Sequence, residues 1–213
     1  MKSLLLVGVT GLVGQSVLAQ ALADPRVTHV IALTRRALNV PSPSRVRLRN
    51  PVVDFDALPD TAEVWAADSV ICTLGTTRKQ AGSEAAFRKV DFDYPLAVAR
   101  RARQAGAQAY ALNSSLGADP HSRVFYSRIK GELEEALRSC GYPSLTFVRP
   151  GLLGGQRTEF RVGERIASLV LRLAHPIVPR RYRVVPAERV AQALLEAALN
   201  PVAGANILES EQL

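Results

Sequence analysis

Ser3-Leu4-Leu5-Leu6-Val7-Gly8-Val9-Thr10-Gly11-Leu12-Val13-Gly14 runs from an unbroken apolar segment straight into three glycines. A short apolar run bounded in this way matches a strand buried on both faces, the kind found in parallel sheets. From Leu12 onward, Leu12, Val13, Val17, Leu18, Ala21 and Leu22 recur at helical spacing until Asp24-Pro25 stops the pattern. The unit is strand, glycine turn, helix. Gly8 permits a sharp turn, Gly11 lets the main chain approach a pyrophosphate, and Gly14 lets the helix pack closely on the strand, while the first helical N–H groups are offered to the anion. A dinucleotide phosphate is the expected guest, and an ordinary tight strand-to-helix connection is the plain alternative.

At 213 residues the chain has room for one domain, a sheet with helices on both faces, and little for a second. Hydrophobic residues make up 47%, a globular composition, and no apolar run reaches the ~18 residues of a membrane span. The amino terminus enters the first strand without the basic flank and cleavage site of a secretory leader, so the cytoplasm is the expected compartment. Cys72 and Cys140 fit no metal or redox spacing and read as buried free thiols. His29, His121 and His175 are equally scattered, and no metal site is expected. The net charge is +8, with arginines gathered at Arg35-Arg36, at Arg45, Arg47 and Arg49, at Arg100, Arg101 and Arg103, and at Arg180, Arg181 and Arg183. Such an excess attracts anions without choosing among a phosphorylated cofactor, an acidic metabolite and nucleic acid.

Val27 to Thr34 is a second strand, ending at Arg35-Arg36. In a dinucleotide fold the residue roughly 20 positions after the glycines meets the adenosine ribose, where an acid favours NAD and an arginine accommodates the 2′-phosphate of NADP. Here two arginines stand where the acid would be, which favours NADP over NAD. A Pro/Ser-rich loop, Asn39 to Ser44, leads to a short strand at Arg45 to Leu48, and Asp60 to Ala67 reads as a poorly defined helix. Asp68 to Leu74 is a central strand, and its Gly75-Thr76-Thr77 loop should flank the cofactor, because ligands of open parallel sheets lie at the carboxyl ends of strands. Phe87 to Arg103 is helical but interrupted by Pro95, with a helix starting near Tyr94. Ala107 to Asn113 is the next strand, Ser122 to Cys140 a helix stopped by Gly141, and Ser144 to Val148 the last clear strand.

Strand and helix therefore alternate from Ser3 to Val148, which predicts an α/β, doubly wound parallel sheet. After Gly151 the rhythm changes. A helix at about Glu164 to Ala174, a Pro- and Arg-rich piece, a helix from about Ala187 to Leu199 and a short strand at Asn206 to Leu208 are expected to form a small carboxyl-terminal cap on the substrate side.

Tyr126 and Lys130 stand four residues apart, hence one turn apart on one helix face. A phenol has a reference pKa of roughly 10, and a nearby ammonium favours the phenolate, so the lysine makes the tyrosine a usable acid or base. Ser115, at the end of the preceding strand, can hydrogen-bond the reacting oxygen. A surface helix with an aromatic contact and a solvated cation is the plain reading of such a pair standing alone. This pair has a serine pair before it and a glycine fingerprint at the head of the chain.

Taken together, Gly8 to Gly14, Val53-Asp54-Phe55, Cys72 to Arg78 with Ala81-Gly82, Val90-Asp91, Ser114 to Asp119, Tyr126-xxx-Lys130-Gly131-Glu132, Arg149-Pro150-Gly151 and Gly163-Glu164 resemble the atypical short-chain dehydrogenase/reductases. Within that group the resemblance is to the Tat-interacting-protein-like, metastasis-suppressor-like subfamily of NAD(P)-binding oxidoreductases. It implies a single Rossmann-fold domain over 1–213 that binds NADP(H). Gly8, Thr10, Gly11, Leu12, Val13 and Gly14 would hold the pyrophosphate, and Arg35 and Arg36 the 2′-phosphate. Asp54 and Phe55 would lie at the adenine, Leu74, Gly75 and Thr76 at the ribose beside nicotinamide, and Pro150, Gly151 and Leu152 near the carboxamide. Ser115, Tyr126 and Lys130 fall on the catalytic positions, with Ser114 the alternative serine and Lys130 also holding the nicotinamide ribose. Many relatives carry asparagine where Asp91 stands, so a proton relay through that position is in doubt. Sugar-nucleotide epimerases share the fingerprint but normally carry a longer substrate region.

The expected function is an NADP-dependent oxidoreductase moving a hydride to or from a small carbonyl or alcohol, with a homodimer as a family expectation. The competing function is an NADPH-binding regulatory or sensor protein with little turnover. No nucleic-acid motif accompanies the arginines at 180–183, so a nucleic-acid partner is not expected.

Overall fold

Successive strand residues point to opposite faces of a sheet, and here both faces are apolar. Leu4, Leu6, Val30, Ala32, Ile71, Ala111 and Val148 line one core, while Leu5, Val7, Ile31, Leu33, Val70, Leu112 and Phe147 line the other. A computed structural model describes residues 1–41, 46–154, 181 and 183–213. The strands of the main sheet are β1 (Lys2–Val7), β2 (Val27–Leu33), β3 (Arg47–Arg49), β4 (Ser69–Cys72), β5 (Ala109–Asn113), β6 (Ser144–Arg149) and β9 (Gly204–Glu209). They run in the order β3-β2-β1-β4-β5-β6-β9, every pair parallel, and a small parallel pair forms from β7 (Leu153–Gly154) and β8 (Val185–Pro186).

Helices α1 (Leu12–Ala23) and α7 (Ala187–Leu199) cover the first face. Helices α2 (Ala62–Trp65), α5 (Tyr94–Gln104) and α6 (Phe125–Arg138) cover the second. The expected α/β, doubly wound parallel sheet is therefore the observed fold. The chain runs outward from β1 to β2 and β3, then crosses back to β4 on the other side of β1, so the crevice at the carboxyl ends of β1 and β4 is the topological switch point. Of the stretch after Gly151, α7 packs in the α1 layer and β9 pairs with β6. The helix expected at Glu164 to Ala174 lies outside the described residues.

Two short helices, α3 (Arg78–Ala81) and α4 (Glu84–Arg88), follow the Gly75 loop. From α4 the chain passes through a single π turn, Lys89–Asp93, into α5. The sequence placed a helix start near Tyr94, and Pro95 explains what forms there. A proline ring inside a helix collides with the carbonyl four residues back, here that of Asp91, and leaves it without a donor. Widening one turn accommodates the ring, and the Tyr94 N–H reaches the Lys89 carbonyl instead.

The turn after β1 is the tightest joint of the fold. Gly8 has φ of 85°, and a Cβ there would lie 2.5 Å from the Thr73 carbonyl carbon at the end of β4. A Cβ on Gly14 would lie 2.1 Å from the Gly8 carbonyl oxygen. Backbone therefore meets backbone where any side chain would intervene. Gly14→Ala is expected to lower the unfolding free energy by about 1–3 kcal/mol, the usual cost of overpacking, read from a denaturant midpoint. An unchanged midpoint would contradict the close approach.

Candidate functional site

Among the described residues, the glycine turn, Arg35-Arg36, the Leu74–Thr76 loop, the serine pair and Pro150–Leu152 each follow the end of a parallel strand. Gly8, Thr10 and Gly11 lead into α1, whose amino terminus has no side-chain cap and no acidic residue in its first turn. Gly11 donates its N–H to the Gly8 carbonyl at 3.0 Å, which leaves the N–H groups of Leu12, Val13 and Gly14 without intrahelical acceptors. Those donors and the open cradle left by the glycines suit a pyrophosphate. Val13 points its side chain into the core, so only its backbone serves the site.

Arg35 and Arg36 follow β2 and are exposed, with no ion pair among the described residues. Their turn is tied down by Asn50, a residue the sequence did not single out. Its side-chain amide donates to the Ala32 carbonyl at 2.7 Å and the Thr34 hydroxyl at 2.8 Å, and accepts from the Leu38 N–H at 2.7 Å. Thr34 in turn donates to the Arg36 carbonyl at 2.6 Å. Asp54 is exposed and accepts from the Asp56 N–H at 2.9 Å, while Phe55 is buried against the Tyr94 ring, 5.4 Å between centroids.

Leu74, Gly75 and Thr76 follow β4. The Thr76 N–H donates to Asp91 Oδ2 at 2.8 Å, and Asp91, on the π turn, is 0% exposed. Its Oδ1 makes no directed hydrogen bond and is satisfied by charge, with Lys130 Nζ 2.9 Å away. Lys130 is itself 2% exposed. Burial pulls the pKa of its ammonium down, yet the Asp91 carboxylate, together with smaller contributions from Tyr126 and Cys72, holds it above the ordinary lysine range.

Tyr126, one turn earlier on α6, is 37% exposed; its ring lies edge-on to Phe87 at 5.9 Å and 6.0 Å from Lys130 Nζ. The helix can take this position because Gly131 meets the loop before it, where a Cβ would stand 2.2 Å from the Pro120 nitrogen. A phenol facing outward with a buried cation behind it is an arrangement that can move a proton at the phenol oxygen.

The serine pair divides cleanly. Ser114, 4% exposed, donates to Glu134 Oε1 at 2.5 Å, and Glu134 is gripped from β6 by Arg149 through Nε at 3.0 Å and Nη2 at 2.6 Å. Arg149 also donates to Glu209 at 3.1 Å, and the Glu134 hydrogen bonds hold its guanidinium above its ordinary pKa. Among the described residues, the Ser115 hydroxyl makes only a 3.4 Å contact to the Leu116 carbonyl. Sequence reading missed this Glu134–Arg149 network because its members are 15 residues apart on α6 and β6, with no motif to join them.

At the end of β6, Pro150 is buried and its carbonyl accepts from the Leu116 N–H at 2.9 Å. Gly151 donates to Ser210 at 3.0 Å, and Leu152 is exposed. The described residues thus bring the glycine turn, the Leu74–Thr76 loop, Asp91, the serine loop and the Pro150–Leu152 segment to one sheet edge. A separate cavity lined by Ser3, His29, Arg47, Arg49 and Glu63 lies toward the amino ends of β1 to β3 and shares none of them. Cys72 is buried and Cys140 half-buried; both are free. No metal-ligating cluster and no helix long and apolar enough to cross a membrane occur among the described residues.

Residues 8–201 match a protein family described as NAD(P)H-binding. A mitochondrial fmp52 protein of Emericella nidulans is 37% identical over 78% of this chain and 73% of its own length. Protein HTATIP2 of Rattus norvegicus is 32% identical over 95% of this chain and 84% of its own. Among solved structures, MoeE5 in complex with UDP-glucuronic acid and NAD superposes with a TM-score of 0.73 at 17% identity, over 97% of this chain and 75% of that one. UDP-glucose 4-epimerase of Thermotoga maritima gives 0.66 at 14%, over 98% and 77%. At such identity these two share the fold. The cytoplasmic expectation is corrected by the fungal relatives, since those of Emericella nidulans, Aspergillus terreus and Coccidioides immitis are all named mitochondrial. That expectation rested on the lack of a secretory leader, which says nothing of other addresses.

Glu134→Gln removes the anion on which Arg149 and Ser114 converge. It is expected to cost about 3 kcal/mol of unfolding free energy, as breaking a buried ion pair does, measured by denaturant titration. Wild-type stability in that variant would contradict the assigned network.

Proposed function

We propose that this chain, which belongs to the NAD(P)H-binding family and is an atypical short-chain dehydrogenase/reductase, is an NADP-dependent oxidoreductase acting on a small carbonyl or alcohol. The family and fold support an oxidoreductase-type role for an NAD(P)-binding domain. The observation that carries the finer reading is the half-exposed Tyr126 phenol with the buried Lys130 ammonium behind it, at the edge that also bears the glycine turn.

The open amino terminus of α1 and the glycine cradle fit a pyrophosphate, and the exposed Arg35 and Arg36, ordered by Asn50, fit a 2′-phosphate. When bound, NADPH supplies the hydride. Tyr126 donates a proton to the substrate oxygen in the reducing direction and takes it back in the other. The Lys130 ammonium lowers the cost of the phenolate left behind. Ser115 hydrogen-bonds the reacting oxygen, and the hydrogen bond of the Ser114 hydroxyl to Glu134 supports Ser115 over the alternative Ser114. Pro150, Gly151 and Leu152 would lie near the nicotinamide carboxamide on the substrate side of the single domain, and homodimer formation belongs to the same reading. After the fungal relatives, its setting is mitochondrial. A second reading is an NADPH-binding regulator with little turnover, since a fold fixes binding more firmly than reaction.

Tyr126→Phe is expected to reduce carbonyl turnover by about 10²–10⁴-fold, the usual worth of a positioned acid, while leaving NADPH affinity near wild type. Equal rates on an established substrate would reject the role, and NADPH binding without reduction of any aldehyde or ketone in a panel would favour the regulator. Replacing Arg35 and Arg36 together by alanine should weaken NADPH by about 10-fold or more, the scale of charge-assisted hydrogen bonds, with little change for NADH. Equal weakening of both in a fluorescence titration would reject the 2′-phosphate assignment.

A further inference from the structure

We propose that Asp91 is the positioning residue that keeps Lys130 charged inside the protein, and thereby keeps the Tyr126 phenol usable at neutral pH. The proposal rests on the reading of Tyr126 and Lys130 given above and concerns a residue to which that reading gives no part.

An ammonium removed from water is costly unless paired, and an unpaired buried lysine commonly gives up its proton instead. Lys130 is in that position, since its side chain is 3% exposed and burial is the largest influence on its proton affinity. The groups that face it are few: Asp91 from the π turn, Tyr126 from its own helix and the Cys72 thiol from β4. Burial raises the Cys72 pKa, so that thiol stays neutral and offers no compensating charge. The phenol is neutral in the state that donates a proton. Among the described residues, Asp91 alone remains as a resident counter-charge.

Its carboxylate is built in rather than incidental. Pro95 forces the π turn whose backbone carries Asp91, the Thr76 N–H fixes Oδ2 at 2.8 Å, and Oδ1 is left at 2.9 Å from Nζ. The Gly75 backbone lies beside the pair: a Cβ there would come into ordinary contact with it, 3.4 Å from Oδ1 and 3.8 Å from Nζ. An asparagine at 91 would preserve the Thr76 contact but supply no charge. The role is thus electrostatic support of Lys130 and needs no proton relay. The sign follows from the raised lysine pKa: the pair's contribution is complete at neutral pH and is lost only as pH rises through the folded-state value.

The protein has four lysines, Lys2, Lys79, Lys89 and Lys130, so 13C-labelling of lysine gives four Cε signals that can be followed against pH, with Lys130→Arg assigning the buried one. In wild type the Lys130 signal is expected to hold its ammonium position beyond the ordinary lysine range. In Asp91→Asn its midpoint should fall by about two pH units or more, within the range known for buried lysines, and Asp91→Glu should recover part of the shift. A wild-type Lys130 that loses its proton before the exposed lysines would overturn the proposal without any variant. An Asp91→Asn protein, folded by circular dichroism, whose Lys130 titrates as in wild type would overturn it too. The titration needs neither cofactor nor substrate, so its failure is distinct from failure of the oxidoreductase reading, which the Tyr126→Phe rates decide. Where turnover is measured, Asp91→Asn should lose kcat as pH rises through the lowered midpoint, while wild type stays level there.

Discussion

The backbone of Gly14 rests on the Gly8 carbonyl, and Gly8 rests on the end of β4, with no space for a single methyl at either joint. This contact fixes where α1 begins, and therefore where its unpaired N–H groups open. It also brings the ends of β1 and β4 together at the point where the chain's connections diverge. Parallel strands deliver the Leu74–Thr76, serine and Pro150–Leu152 loops to that same edge, while α6 and the π turn contribute Tyr126, Lys130 and Asp91.

The fold was legible because its strands are buried on both faces. Leu4-Leu5-Leu6-Val7, Val30-Ile31-Ala32-Leu33 and Val70-Ile71-Cys72 are apolar throughout, and parallel sheets write their strands in that way. The region Phe87 to Arg103 was harder to read. A proline within an amphipathic pattern allows a break, a new start or a bulge, and that the chain runs from α4 through a π turn into α5 is seen only in three dimensions. Among site residues, Gly8 to Gly14, Arg35, Arg36, Ser115, Tyr126 and Lys130 carry local patterns. Asn50, Glu134 and Arg149 carry none, since each acts on a partner distant in sequence. Asp91 was visible as a motif residue, but its direct pairing with Lys130 needs three dimensions.

The two charges at the heart of the site differ in how they are held. Lys130 is buried and answered by one carboxylate, whereas Arg35 and Arg36 stand in water on a turn that Asn50 stiffens. A buried pair keeps its strength in salt, while exposed guanidiniums are screened and gain from meeting a doubly charged phosphate. The chemistry and the recognition of the cofactor therefore respond to different conditions, although one sheet edge carries both.

The central claim is that a phosphorylated nicotinamide dinucleotide lies across this edge, against the amino terminus of α1 and the loop after β4. Hydrogen–deuterium exchange with and without NADPH reads those backbone amides directly. The account predicts slowed exchange at residues 10–14 and 74–76, with the Arg47–Arg49 strand and its neighbouring cavity unchanged. Protection confined to that cavity, or unaltered exchange at the glycine turn under saturating NADPH, would contradict it.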